Sequence, residues 1–162
     1  MARALIVGCG CHGRELGVRL RERGWEVRGT SRGAEGTAAI EAAGLEAAVA
    51  DPNRPGTVLE LCGDVTVVVW LLGSVRGEAE LVAAIHGPRL ERLLEKLVDT
   101  PVRGFAYEAA GPTDEPHLRR GREIVERAGE TWRIPVVALD EEREADGWAG
   151  RCAAAISGLV GA

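Results

Sequence analysis

Short apolar runs alternate with amphipathic stretches along the whole chain. The apolar runs predict strands at about 3–8, 25–30, 45–50, 65–72, 102–107 and 134–139. The stretches between them have helical spacing and predict helices at about 12–23, 34–43, 55–62, 78–98, 117–131 and 141–160, with a break expected at His86-Gly87-Pro88. Because strands alternate with helices, the pattern predicts a parallel sheet joined by right-handed crossovers.

The loop between the first strand and the first helix is rich in glycine. Gly8, Gly10 and Gly13 form the pattern G-x-G-x-x-G, and Gly17 follows four residues later. In this pattern the first glycine permits a tight turn, the second lets the backbone approach a pyrophosphate, and the third lets the helix pack close to the strand. Since a strand precedes the motif and a helix and a second strand follow it, we interpret it as a dinucleotide-binding turn rather than as a tight turn alone.

This arrangement predicts the fold class. Six strands with the glycine motif at the first turn indicate an α/β fold, a doubly wound parallel sheet of Rossmann type in the order 3-2-1-4-5-6. The continuous apolar run 65–72 is typical of a parallel strand covered on both faces, and Pro135 favours an edge position for the last strand. A ligand is expected in the crevice where the first and fourth strands diverge.

The end of the second strand indicates which cofactor the crevice prefers. NAD sites usually have Asp or Glu there, which accepts a hydrogen bond from the ribose 2′-hydroxyl. This chain has Thr30, Ser31 and Arg32 instead, and no carboxylate before Glu35. An arginine can pair with a 2′-phosphate, so we predict NADP, with NAD less favoured; the alternative for Arg32 is a solvated surface arginine. The missing acid also argues against S-adenosylmethionine.

The predicted crevice defines a set of candidate site residues from the loops that follow the strands. The expected cofactor-binding residues are Gly8, Cys9, Gly10, Cys11, His12, Gly13, Thr30, Ser31, Arg32, Asp51, Pro52, Leu71, Leu72 and Gly73. Asp51 could accept from an adenine amino group, or it could be a turn residue before Pro52. At the end of the fifth strand, Tyr107 and Glu108 are weak candidates for catalysis, and Tyr107 has the alternative of a core residue.

Composition and charge narrow the partners. The chain has 162 residues and is expected to form a single domain over 1–162; apolar residues make up 46% and charged residues 28%. The net charge of −5 argues against nucleic acid and anionic membranes as partners, and there is no apolar run of membrane-spanning length. The first strand begins at residue 3 and leaves no room for a signal peptide, so we expect a cytoplasmic protein. No metal is expected, because Cys9, Cys11 and His12 lack a second ligand pair.

Several segments together resemble the atypical and extended short-chain dehydrogenase/reductase superfamily, in its epimerase-like members. They are GCGCHGRELG, RGTSR, VADP, VVVWLLGS and GFAYEAAG, within residues 3–111. The resemblance implies that Arg32 reads a 2′-phosphate, that Asp51 contacts adenine and that Gly73 lies beside the cofactor. It also implies that helices in the region of 89–98 pair subunits, which makes a homodimer one expectation.

The chain departs from the family where the family does its chemistry. Its reductases use a tyrosine with a lysine four residues later and a serine after the fifth strand, but here the only lysine, Lys96, precedes the only tyrosine, Tyr107. Ala109 and Ala110 stand where the family has hydroxyl groups, and we expect these 162 residues to hold no counterpart of the additional substrate lobe of extended members. Two functions stay open, an NADP-dependent oxidoreductase with a non-standard proton donor and an unknown small-molecule substrate, or a non-catalytic NADP-binding module that senses redox state or acts as a scaffold. An FAD-binding domain is a third alternative.

Overall fold

The chain forms one six-stranded parallel sheet with helices on both faces. A computed structural model describes residues 2–161. The strands are β1 (Arg3–Val7), β2 (Glu26–Ser31), β3 (Glu46–Val49), β4 (Val67–Trp70), β5 (Gly104–Glu108) and β6 (Val136–Leu139). The helices are α1 (Cys11–Glu22), α2 (Ala34–Ala42), α3 (Pro55–Leu59), α4 (Ala79–Ile85), α5 (Pro88–Leu97), α6 (Glu115–Trp132) and α7 (Trp148–Gly158).

The strand order is β3-β2-β1-β4-β5-β6, and all five pairings are parallel. This confirms the predicted Rossmann-type α/β class and its strand order. Leu5 of β1 lies beside Val68 of β4, so the two central strands are in direct contact. Their side chains alternate between the faces of the sheet, and each face is covered by helices, which explains why both strands are apolar throughout.

The two faces of the sheet carry separate hydrophobic cores. One core receives side chains from α1, α2 and α7, including Leu16, Ile40 and Trp148. The other receives side chains from α3, α4, α5 and α6, including Leu93 and Ile124. Because each core is closed by its own helix layer, the ends of the central strands are left as the place where a ligand can approach the sheet.

The break predicted in the long helical stretch is confirmed. His86 and Gly87 separate α4 from α5, and Pro88 occupies the first turn of α5, where its missing N–H costs no hydrogen bond. The apolar stripe of α5 is buried on the sheet at Leu90, Leu93, Leu94 and Leu97. Subunit pairing through this region stays a prediction. No helix within residues 2–161 combines the length and the apolar character needed to cross a membrane.

The last helix is shorter than predicted, and this correction matters for the site. It begins at Trp148 rather than at residue 141, because Gly147 has a φ of +78° and residues 140–147 form turns. Within this segment Arg143 points into the molecule and reaches Glu108 at the end of β5. The other predicted boundaries differ from the observed ones by four residues or fewer.

Candidate functional site

A cavity of about 530 Å³ lies at the carboxyl ends of β1, β2 and β4. Its walls come from the glycine turn, the end of β2, the loop after β3 and the segment from the end of β4 into α4. This is the place where the connections from β1 and β4 run to opposite sides of the sheet. The expected residues that line it are Gly8, Cys9, Gly10, Thr30, Ser31, Arg32, Pro52, Leu71 and Leu72.

The glycine turn requires its first glycine. Gly8 has a φ of +86°, and a Cβ there would lie 2.6 Å from the carbonyl oxygen of Leu71. A Cβ at Gly13 would lie 3.3 Å from the carbonyl oxygen of Gly8, so the start of α1 packs tightly against the end of β1. Gly10 meets nothing within 4 Å and leaves the backbone of the turn bare. Such a turn, opening directly into a helix, fits a phosphate group.

The end of β2 forms the next part of the wall. Thr30 is buried and its carbonyl accepts a hydrogen bond from the Cys9 N–H at 3.1 Å, which joins β2 to the glycine turn. Ser31 is half-buried and Arg32 is exposed. A Cβ at Gly36 would collide with the Ser31 hydroxyl, so glycine is required there to leave room beside it. The hydroxyl and the guanidinium therefore face an accessible part of the cavity.

Three arginines line the cavity without carboxylate partners. Arg14 from the first turns of α1, Arg32 and Arg76 form no ion pair within residues 2–161, whereas Glu78 is the single carboxylate among the lining residues. Toward the amino ends of the strands, by contrast, Arg28 forms ion pairs with Glu46 and Asp64. Unpaired guanidinium groups around a glycine-rich turn suit a ligand with several phosphates.

Sequence reasoning did not identify Arg14 and Arg76 as site residues. Arg14 directly follows the third glycine of the motif, and Arg76 lies in the loop after β4. Both positions are therefore close in sequence to segments that were expected to form the crevice. What the sequence lacked was the direction of each side chain, since an arginine on a helix or in a loop can equally well face solvent.

The other expected cofactor residues lie outside the cavity wall. Cys11 is exposed at the start of α1, Gly13 is buried beneath the turn, and Gly73 is buried after β4. His12 packs edge-on against Trp148, with 5.9 Å between ring centroids. The Asp51 Oδ1 accepts from the Asn53 N–H at 2.9 Å, which is the geometry of a turn and matches the structural alternative for this residue.

Tyr107 lies in the core and its hydroxyl is engaged. The hydroxyl is 2.6 Å from Nδ1 of His86, and Nε2 of the same ring is 3.0 Å from the carbonyl oxygen of Leu72. Because a carbonyl only accepts, Nε2 carries the hydrogen and the tyrosine hydroxyl donates to Nδ1. Both side chains are fully buried, and Gly121 makes room for the phenol ring. The structure thus favours the core alternative for Tyr107.

Burial keeps this histidine neutral. It lowers the pKa of His86 from 6.5 to about 4 and raises the pKa of Tyr107. Between pH 6.5 and pH 4, His86 is therefore protonated in the unfolded chain but neutral in the folded chain. The contribution of this difference to the free energy of unfolding is complete above pH 6.5 and is lost as the pH falls toward 4.

Because of His86, we expect the free energy of unfolding of the wild type to fall by about 1 kcal/mol for each unit by which the pH decreases from 6.5 to about 4. A His86→Gln variant should lack this component, whereas His117→Gln should retain it. Urea unfolding at several pH values measures the difference in slope. Identical slopes in the wild type and His86→Gln would contradict the assigned neutral, buried state.

Glu108 is fully buried and forms an ion pair. Its carboxylate accepts from Nε and Nη2 of Arg143, both at 2.7 Å, and from the Gly73 N–H at 2.7 Å. Arg143 also donates to the carbonyl oxygen of Leu71 at 3.2 Å. A general base needs an oxygen that can reach a substrate, and this carboxylate is enclosed by its partners and does not line the cavity.

Three of the four cysteines lie in the core, and the fourth, Cys11, is exposed at the start of α1. Across residues 2–161, no group of three His, Cys, Asp or Glu side chains has the spacing to hold a metal ion. Cys9, Cys62 and Cys152 are buried, which raises the pKa of each thiol, to about 12, 11 and 12 respectively. These thiols are therefore neutral at physiological pH.

No protein-family model and no curated protein sequence matches this chain. Solved structures with a similar fold include UDP-glucuronic acid 4-epimerase from Bacillus cereus in complex with NAD, with a TM-score of 0.63 and 14% identity over 84% of this chain and 54% of that one. Triphenylmethane reductase from Citrobacter sp., complexed with NADP(H), has a TM-score of 0.64 and 18% identity over 85% of this chain and 49% of that one.

UDP-glucose 4-epimerase from Thermotoga maritima has a TM-score of 0.66 and 12% identity over 84% of this chain and 54% of that one. The chain thus spans about half the length of these solved structures. At such identities the likeness shows the fold, and it agrees with the observed strand order: the chain has the doubly wound α/β architecture of Rossmann type.

Proposed function

We propose that this chain binds NADP(H) in the cavity at the ends of β1, β2 and β4, as a member of the short-chain dehydrogenase/reductase superfamily. The observation that carries the proposal is a set of three arginines, Arg14, Arg32 and Arg76, that have no ion-pair partner among residues 2–161 and surround a glycine turn that opens into a helix. Solved structures of the same fold that hold NAD or NADP(H) support a nicotinamide dinucleotide as the ligand class.

NADP is favoured over NAD by the end of β2. An NAD site needs a carboxylate there for the ribose 2′-hydroxyl, and the positions hold Thr30, Ser31 and Arg32 instead. Arg32 is exposed at the cavity and has no ion-pair partner within the described chain, so it can meet a 2′-phosphate without breaking an existing contact. The nearby Ser31 hydroxyl provides a further donor for the same group.

Of the two uses of the cofactor, the structure favours binding without turnover. When bound, NADPH would supply a hydride, and a reductase must then deliver a proton to its substrate. The two candidates for that step, Tyr107 and Glu108, are buried, and each makes its hydrogen bonds inside the protein. We therefore place the non-catalytic NADP-binding module ahead of an oxidoreductase with a non-standard proton donor.

A fluorescence titration with NADPH and with NADH tests the proposal. Arg32→Glu should weaken NADPH binding by about tenfold or more, because it removes a charge-assisted contact with the 2′-phosphate and adds a repulsive charge. NADH lacks that phosphate, so its affinity should change by less than about threefold.

Arg103→Glu is the matched control, since it makes the same change of charge at an exposed position before β5, at the opposite edge of the sheet. At 0.15 M salt a remote charge is screened over about 8 Å, so this variant should bind NADPH like the wild type. The proposal would be contradicted if the wild type did not bind NADPH, or if Arg32→Glu and Arg103→Glu lost NADPH affinity to the same extent.

A further inference from the structure

We infer that the protein recognises only the 2′-phosphoadenosine half of NADP(H), because its own chain closes the half of the crevice that would receive the nicotinamide. The inference rests on the proposed function and narrows it. It identifies the ligand class as adenosine nucleotides that carry a 2′-phosphate, whatever is attached beyond the pyrophosphate.

The first step is the position of the cavity on the sheet. A doubly wound sheet consists of two mononucleotide-binding halves, here β1–β3 and β4–β6, and a dinucleotide lies across both. The cavity draws its lining from the first half and from the segment between Leu71 and Ile85. None of residues 104–147, all of which the structure describes, lines it. The open space thus lies over the ends of β1–β3 and against the connection from β4 to α4, and it does not extend to the ends of β5 and β6, so we assign it to the adenosine half.

The second step is the ion pair that closes the ends of β4 and β5. Arg143 reaches in from residues 140–147 and holds the Glu108 carboxylate through two hydrogen bonds of 2.7 Å. It also donates to Leu71 O at 3.2 Å, and Glu108 accepts from the Gly73 N–H at 2.7 Å. This buried ion pair therefore joins the segment after β4, the end of β5 and residues 140–147. These three segments would have to separate to admit the nicotinamide ring.

The third step is the direct contact between the loops after β4 and β5. The Gly73 carbonyl accepts from the Thr113 N–H at 2.9 Å, and the Val75 carbonyl accepts from the Thr113 hydroxyl at 3.1 Å. A Cβ at Gly111, whose φ is +146°, would collide with the Gly73 carbonyl. Because the backbones touch, no aromatic ring fits between these loops as they stand.

The consequence concerns redox state. NADP⁺ and NADPH share the phosphoadenosine half and differ in the nicotinamide ring alone, so a site that ends at the pyrophosphate binds them equally. Such a protein responds to the amount of NADP(H) and not to its oxidation state. One form of the binding-module hypothesis is a protein that senses redox state. The inference changes that form to a protein that senses the total concentration of NADP⁺ and NADPH.

Calorimetric titrations of the unmodified protein with NADP⁺, NADPH, 2′-phospho-ADP-ribose and ADP-ribose test the inference. The first three ligands should bind with dissociation constants within about threefold of one another, since the ring contributes nothing. ADP-ribose lacks the 2′-phosphate and should bind about tenfold more weakly or worse. Amide hydrogen exchange in residues 108–113, none of which lines the cavity, should stay unchanged when NADPH saturates the protein, because the loop after β5 remains closed.

Each contrary outcome has a distinct meaning. If NADP⁺ or NADPH binds about tenfold more tightly than 2′-phospho-ADP-ribose, the ring is held, and the inference fails while the proposed function stands. A ligand-induced change of exchange in residues 108–113 would likewise show that the loop after β5 opens, against the inference. If none of the four ligands binds, the proposed function fails and the inference fails with it.

Discussion

Replacing Arg143 with methionine is expected to lower the free energy of unfolding by about 3–5 kcal/mol. The substitution leaves the Glu108 carboxylate fully buried without its cation, and removing one partner of a buried pair costs far more than the pair itself contributes. Methionine keeps much of the volume of the arginine stem, so the loss reports on charge more than on a cavity. Urea unfolding followed by circular dichroism measures the change.

Two further variants make the result specific. Arg151→Met removes an arginine that also pairs with a carboxylate, Glu141, at 2.8 Å, but both partners are about half exposed, so solvent screens the pair and the cost should be far smaller than for Arg143→Met. The double variant Glu108→Gln/Arg143→Met removes the unpaired charge and should recover most of the loss. A deficit in Arg143→Met no larger than in Arg151→Met would show that Glu108 is not buried with Arg143 as its partner.

The fold could be read from the sequence because its signals are local and repeated. Alternating strand and helix patterns determine the parallel class, and the glycine turn after β1 places the crevice and with it the strand order. The same reasoning found the cavity wall at Gly8, Gly10 and Arg32, because these residues follow strands whose carboxyl ends share one edge of the sheet.

The state of the second half of the crevice could not be read in this way. Glu108 and Arg143 are 35 residues apart, and no periodicity links them. Residues 141–146 are rich in good helix formers, so local propensity favoured a helix there. Tertiary structure overrode that preference, because the segment turns at Gly147 and inserts Arg143 toward a buried carboxylate. From the sequence alone Glu108 is an acid at a strand end and therefore a catalytic candidate, and the ion pair that encloses it is visible only in the folded chain.

The pair formed by Tyr107 and His86 shows the same limit. The two residues lie 21 positions apart, on β5 and at the junction of α4 with α5. From the sequence alone, a tyrosine on a strand can be interpreted as a core residue or as a site residue. The sequence cannot show that the His86 ring is buried next to the Tyr107 hydroxyl and accepts its hydrogen bond. The contact with His86 that favours the core alternative exists only after the chain has folded.

Gly8→Ala is expected to lower the free energy of unfolding by about 2–4 kcal/mol. The left-handed backbone at this position costs an alanine about 1–2 kcal/mol. The new methyl group must also displace the Leu71 carbonyl, which would lie 2.6 Å away and belongs to the backbone after β4, so about 1–3 kcal/mol of overpacking adds to the strain. A smaller entropy loss on folding offsets a fraction of this. Urea unfolding gives the net effect.

Gly24→Ala separates strain from contact. Gly24 has a φ of +89°, close to the +86° of Gly8, but a Cβ there meets nothing within 4 Å. Its substitution should therefore cost the backbone term alone, and the difference between the variants isolates the contact between the glycine turn and β4. Because that contact shapes the cavity floor, Gly8→Ala should also weaken NADPH binding while Gly24→Ala leaves it intact. Equal losses of stability in the two variants would mean that the turn does not press on Leu71, and the close approach assigned to the first glycine of the motif would be wrong.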